Sequence, residues 1–502
     1  MAKSPILWEK QPTFSDRIRN WGKYVPDALL ASLIMLIFGE LGYLDWLERT
    51  TIELAAATSL AMPRINLRSA TESTAAYEGS VPRIVVITEE AFQHQFYERS
   101  PLNRARLVEI LRGIGSASPM LLAIDIDLSP IAGASKPEVD AQRNLDQLLL
   151  TIADKTRLVL VTPYPSSLDE RIRENAAWMS KLCAHPNIDF AYPYIARNEG
   201  VVTKINPTFP SLGNVAYTLS RRPSAASSTA NQTAGGGKSG EICALLQRGE
   251  AAAPIFLDSL FAENVTRPLK NDKALVPLNV NYFEEGLAER FRFDAANPPE
   301  PALFGQAVFL GGEWNRADRF VTASGSFPGV MVHSATFFTR EHPVRNLPRS
   351  LLFLIETLLG VVLLRAFTSL WEKYFSRLEA PAGTSNWRIQ LAAWLRALPW
   401  AAAVLLITVL VILGSVAASG FLLAQATWFN FAPIALAAAL KARETGGEVE
   451  VRKLKERIRK LEHAPKLRAR WTGLVNWLVS QLFAYRWLMF FAVVALVLLI
   501  VR

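Results

Sequence analysis

Apolar positions fall into three rhythms along the chain. Predominantly apolar runs occupy residues 26–45, 349–368, 399–423, 427–442 and 487–502, at or near the length that crosses a hydrocarbon core as a helix. The long segment 46–348 alternates strand-like and helix-like patterns instead. Residues 83–88 (RIVVIT), 120–128 (MLLAIDIDL), 157–162 (RLVLVT) and 307–312 (AVFLGG) have the character of buried strands. Between them Leu107, Ile110, Leu111 and Ile114, then Leu145, Leu148, Leu149 and Ile152, recur three and four apart as one face of a helix, and 329–338 supplies another. The third rhythm lies near the C-terminus. Val451, Leu454, Ile458 and Leu461 form a short seam among Lys and Arg, and Trp471, Leu474, Val475, Leu478 and Leu482 then share one helical face, as in a helix lying on a membrane surface.

Strands alternating with helices predict parallel strands joined by crossovers. The expected fold class is therefore an α/β domain over 46–348, mostly parallel sheet with crossover helices, plus an all-α transmembrane region of about five helices. Within the domain, 221–240 (RRPSAASSTANQTAGGGKSG) has no large apolar residue and is expected to be a disordered surface loop. The fifteen or so apolar residues ending the chain are read as a fifth crossing, with a buried or interfacial helix as the alternative.

Charge separates along the same boundaries. The 502 residues carry a formal charge of +9, yet 46–348 holds 30 Lys+Arg against 32 Asp+Glu, while the remainder holds 24 against 13. Basicity confined to the flanks of apolar runs sets membrane orientation and leaves no nucleic-acid footprint. By that bias 1–25 is cytoplasmic, 46–348 is extracytoplasmic, and 369–398 and 443–486 are cytoplasmic. Twelve Lys+Arg against five Glu between 441 and 486 make the last of these the most strongly placed.

Little in the chain suggests catalysis. The five histidines have no metal spacing, the two cysteines are sixty residues apart, and no nucleophile elbow or phosphate loop occurs, so neither an enzyme nor a cofactor or metal site is expected. Cys183 and Cys243 both fall in the extracytoplasmic segment, where a disulfide is permitted; sequence alone does not bring them together. Asp125 and Asp127 end a predicted strand, where open α/β sheets bind ligands, although turn capping is the competing role. Arg316 and Asp318 are candidates to grip an anion, against an ordinary charged turn, and His333 is either a ligand-binding or a satisfied structural histidine. Glu40 and Glu356 are the costly polar groups in the first two apolar runs.

The stretch VVITEEAFQHQFYERSPLNRARLVEILRGIGSASPMLLAIDIDLSP (85–130) and the later FLGGEWNRADRFVTASGSFPGVMVHSATFF (309–338) resemble the CHASE2 family of bacterial extracytoplasmic sensor domains. Matching features are the strand ending in Asp125, Asp127 and Pro130, and the set Gly311, Asp318, Pro328, Gly329 and His333. One departure is Ser100-Pro101-Leu102-Asn103-Arg104, where many members have an aromatic-Pro-aromatic-Arg stretch. The resemblance implies one N-terminal span, an exported α/β sensor and a cluster of spans in the bacterial inner membrane, with the large domain periplasmic. Family members carry a cytoplasmic output module; none is recognisable here.

Two functions follow as expectations. In one, the chain is a sensory or signalling subunit whose exported domain recognises a ligand or partner and which acts through a separate cytoplasmic effector docked at Val451, Leu454, Ile458 and Leu461. In the other, it is a structural or assembly subunit of a larger membrane complex and binds no small molecule. Membrane lipids, an effector or other complex subunits are the expected partners, a homo-oligomer is open, and nucleic acid is not expected.

Overall fold

The structure is a computed structural model that describes residues 21–40, 50–52, 54–55, 80–163, 169–195, 201–222, 241–247, 276–284, 286–314, 318–346, 349–378, 387–424, 427–431, 434–435 and 437–438. It divides into two units, one formed by Met1–Leu54, Leu347–Ser419 and Phe429–Arg502, the other by Ala55–Asn346 and Gly420–Trp428.

The second unit is the α/β region. In chain order it contains β1 (Arg83–Ile87), α2 (Glu89–Gln95), α3 (Arg104–Ser116), β2 (Leu121–Asp125), α4 (Lys136–Ala153), β3 (Arg157–Val161), α5 (Asp169–Cys183) and β4 (Ile188–Ala191), α1 being the apolar helix Val25–Glu40 of the first unit. There follow β5 (Val201–Val202), β6 (Lys204–Ile205), α6 (Leu212–Ser220), α7 (Glu241–Gln247), β7 (Val276–Pro277), α8 (Asn281–Glu284), α9 (Leu287–Arg290) and β8 (Arg292–Asp294). The unit continues with α10 (Glu300–Leu303), β9 (Ala307–Gly312), β10 (Arg319–Thr322), β11 (Gly325–Pro328), α11 (Gly329–Glu341) and β12 (Arg345–Asn346). Six strands form the main sheet in the order β4-β3-β2-β9-β1-β8, and each neighbouring pair in it is parallel. The mostly parallel α/β sheet expected from the alternating pattern is thus present.

Local chemistry sets where these helices begin. Thr88 caps α2 by accepting from the Ala91 N–H, Asn103 caps α3 by accepting from Ala105 and Arg106, and Ser135 with Glu138 forms a reciprocal capping box on α4. The strands then divide their side chains between two faces. Val85, Ile87, Leu122, Ile124, Leu158, Leu160, Val308 and Leu310 pack with α3, α4, α5 and α10. Ile84, Val86, Leu121, Ala123, Val159, Val161 and Phe309 pack with α6, α8, α9 and α11. Period-two alternation with both faces covered explains the continuous apolar runs in the sequence, each fully buried Val, Leu or Ile contributing roughly 1.5–3 kcal/mol.

Among the described residues the first unit is mainly helical. Two segments among the described residues are long and apolar enough to cross a membrane, Ser350–Lys373 in α12 (Arg349–Leu378) and Leu406–Leu423 in α13 (Trp387–Ala424), where about five were expected. Ala28 of α1 packs with Val361, Leu364 and Phe367 of α12 and with Ala438. A Cβ on Gly360 would lie 3.4 Å from that of Ala28, the close approach that small residues permit between helices. Residues 41–49 and 439–502 lie outside the described set, and with them the end of the first run, the last run and the seam Val451, Leu454, Ile458 and Leu461.

Three boundaries differ from expectation. The helices α12 and α13 run through much of 369–398, expected as a cytoplasmic loop, because apolarity stops there while helix-favouring Ala, Leu, Arg and Gln continue. Pro399, taken as the start of a span, instead lies inside α13. The run 427–442 opens extended, with β13 (Thr427–Trp428) paired in parallel to β12. Of 221–240, Arg221 and Arg222 follow α6 and the remainder lies outside the described residues.

Candidate ligand site at the carboxyl edge of the sheet

After β1 and after β2 the chain departs to the sheet face covered by α3 and α4. From β9, which lies between them, it departs through the β10–β11 hairpin to α11 on the opposite face. Neighbouring strands that send their connections to opposite faces leave a crevice beyond their carboxyl ends, the usual ligand position in open α/β sheets. Asp125 ends β2 there, in register with Gly311 of β9, and shares the strand parity of Leu121 and Ala123, so it lies on the face of α11.

Two consecutive glycines shape the end of β9. A Cβ on Gly311 would come within 2.5 Å of Val330, and one on Gly312 within 2.1 Å of the Trp314 ring. Gly311 therefore lets α11 settle on the sheet, while Gly312 lets Trp314 fold back to stack on Phe92 at 4.9 Å between ring centroids. Asp318 is exposed, and its Oδ1 would lie 2.9 Å from a Cβ on Gly329, at the head of α11, where negative charge is favoured by the helix dipole.

His333 lies one turn further into α11 and is 1% exposed. Its Nε2 is 3.1 Å from the Pro193 carbonyl oxygen, which can only accept, so Nε2 carries the hydrogen and Nδ1 is a bare lone pair. That Nδ1 has no partner among the described residues. Asp125 Oδ1 is 3.9 Å from Nε2, too far for a hydrogen bond. Burial pushes the Asp125 carboxyl up to about 7 and the His333 imidazole down to about 4, the bond to Pro193 only partly opposing the latter. Both side chains are thus neutral just below neutral pH. Thr162, just past β3, also buries a hydroxyl without a partner among the described residues.

Comparison with protein-family models, with curated proteins and with solved structures returns no match.

Of the residues singled out from sequence, Asp125 and His333 come together. Asp127 turns the other way: its carboxylate accepts from the Ser129 N–H in a local turn, the capping role weighed against ligand binding. Arg316 lies outside the described residues. In the first unit Glu356 is half-buried within Ser350–Lys373, and Glu40 ends α1 with its side chain outside the described set. Cys183 and Cys243 are bonded, with Cα atoms 5.4 Å apart, joining the end of α5 to α7.

Sequence reasoning missed Arg104. This first residue of α3 is buried and donates to Gln142 Oε1 at 3.0 Å, to the Asp127 carbonyl at 3.1 Å and to the Ser129 carbonyl at 2.7 Å. Gln142 in turn donates to the Leu128 carbonyl and to Asp146, which also accepts from Trp178 Nε1. The network fixes the turn after β2 and hence where Asp125 ends. A cation in the first turn of a helix opposes the dipole, and that mismatch was the signal that Arg104 has a special partner.

Proposed function

We propose that the chain is a membrane-anchored sensory subunit with a CHASE2-like extracytoplasmic domain that recognises a ligand or partner at the carboxyl edge of its sheet and acts through a separate effector. The carrying observation is the buried Asp125–His333 couple at the point where the sheet connections diverge, since unpartnered buried polar groups cost stability and concentrate at functional sites. Charge segregation supports the orientation, and the Cys183–Cys243 bond suits an oxidising compartment.

A membrane setting for the first unit is supported by its surface. Leu351, Leu354, Leu358 and Val362 form an exposed row on α12, and Leu406, Leu410 and Leu413 another on α13. Apolar rows of that kind are rare on proteins that face water alone. Purification from native membranes tests the functional reading against the assembly alternative. A sensory subunit recovers its effector in an amount that changes when Asp125 or His333 is replaced; an assembly subunit recovers fixed stoichiometric partners whatever stands at those positions.

A further inference from the structure

We infer that Asp125 and His333 form an internal proton couple: a neutral acid–imidazole pair while the crevice is closed, and a carboxylate–imidazolium pair once water or a ligand opens it. The inference rests on the carboxyl edge being the recognition site, and it adds how that site responds.

A carboxyl that is nearly buried, and that accepts no hydrogen bond among the described residues, is far more stable with its proton than without. An imidazole that is 1% exposed is likewise favoured uncharged, its donation to the Pro193 carbonyl opposing this only in part. In water the order reverses, because a free carboxyl is a stronger acid than a free imidazolium. The direction of both shifts, Asp125 up and His333 down, agrees with this inversion by burial.

The transfer conserves charge and protons. On opening, the Asp125 O–H bond breaks, the proton passes through admitted water to the lone pair on His333 Nδ1, and a carboxylate and an imidazolium result. The neutral pair stands 3.9 Å apart with no bond between them; the ionised pair attracts across that gap. The pair stands between β2 and α11.

Among the described residues few other charges face the couple: from α8 Tyr282 bonds the Ser334 hydroxyl beside His333, and from β10 Arg319 donates to the Ser326 carbonyl. From α11 itself, Arg340 and Glu341 stand at the far end of the helix. Asp318 lies beside Gly329, one turn before His333, and Asp127 is turned to the Ser129 N–H. On α6 the single titratable side chain is Tyr217, set against Phe337. On β3 Arg157 is at the opposite end, bonded to the Ser220 and Arg222 carbonyls; on β4 Asp189 pairs with Arg222; β9 has no titratable side chain.

The test is hydrogen exchange of α11 in the full chain in lipid nanodiscs, from pH 4.5 to 8, corrected for intrinsic rates, for wild type, Asp125→Asn and His333→Gln. Opening of the wild type releases one proton and takes up another, so its opening constant changes by less than about twofold per pH unit between 4.5 and 6.5. In Asp125→Asn opening weakens as pH rises, and in His333→Gln it strengthens, each by up to about tenfold per unit. If Asp125→Asn does not accumulate, His333→Gln alone decides, because its slope contrasts with the flat wild type. Wild-type behaviour in the variants overturns the couple. In that event, altered partner recovery from native membranes leaves the recognition site standing, whereas unchanged recovery removes both.

Discussion

Replacing Arg104 by Met probes whether the turn after β2 is held as described. Arg104 is 3% exposed and its guanidinium donates to two fixed backbone carbonyls and to Gln142. Met fills similar volume, so the change leaves little cavity and removes only the donors. Each buried acceptor left unpaired costs about 1–3 kcal/mol, while relief of the buried cation's desolvation returns part of that sum. A net loss of about 3 kcal/mol is expected. With a urea dependence of about 2–3 kcal/mol per molar, the midpoint falls by roughly 1 M. Trp178 donates to Asp146 in the same network and is a natural fluorescent reporter of the transition. Arg106→Met serves as the control, since its pairing with Glu109 is solvent-exposed and such pairs contribute about 1 kcal/mol or less. Equal, small effects of the two substitutions would refute the assigned role of Arg104.

Four further outcomes follow. Removing Asp125 by Asn makes the protein progressively more stable relative to wild type as pH rises from 4 to 7, because a carboxyl raised to about 7 contributes stability that is complete at acid pH and lost through its folded pKa; the full span is about 4 kcal/mol in pH-dependent denaturation. Changing both Cys183 and Cys243 to Ser lowers stability by about 4 kcal/mol, the loop-closure value for a bridge spanning 60 residues, and calorimetry showing no loss contradicts it. Gly213→Ala is strongly destabilising, since its Cβ would lie 2.3 Å from the His333 backbone oxygen, whereas Gly113→Ala, with nothing within 4 Å, is neutral or stabilising by up to about 1 kcal/mol; melting temperatures compare them. A cysteine placed at exposed Val139 is labelled in intact cells only from outside, and one at 446 only from inside; the reverse pattern overturns the proposed orientation.

The parallel sheet was legible because its strands are buried on both faces and read as short continuous apolar runs, such as 83–88 and 307–312, separated by helices with clear spacing. The caps at Asn103 and Ser135, by contrast, came to light only with the structure. The rest of what sequence did not reveal is long-range. That β9 inserts between β1 and β2, and so divides the connections between two faces, follows from no local pattern. The meeting of Asp125 with His333 depends on that insertion, because it puts Gly311 beside Asp125, where the missing side chain lets Val330 of α11 approach. The helix limits around Pro399 were misjudged because apolarity reports where a helix meets lipid, while propensity and hydrogen bonding decide where it ends.

The central claim, that the α/β unit recognises something at its carboxyl edge and passes the outcome to a partner, is tested most directly by crosslinking in native membranes. Wild type and His333→Gln are compared at equal membrane levels, with the yield and identity of crosslinked partners as the readout. The account predicts that the substitution changes the yield of one partner while the chain stays folded and inserted. An identical set of partners at identical stoichiometry would contradict it and favour an assembly role.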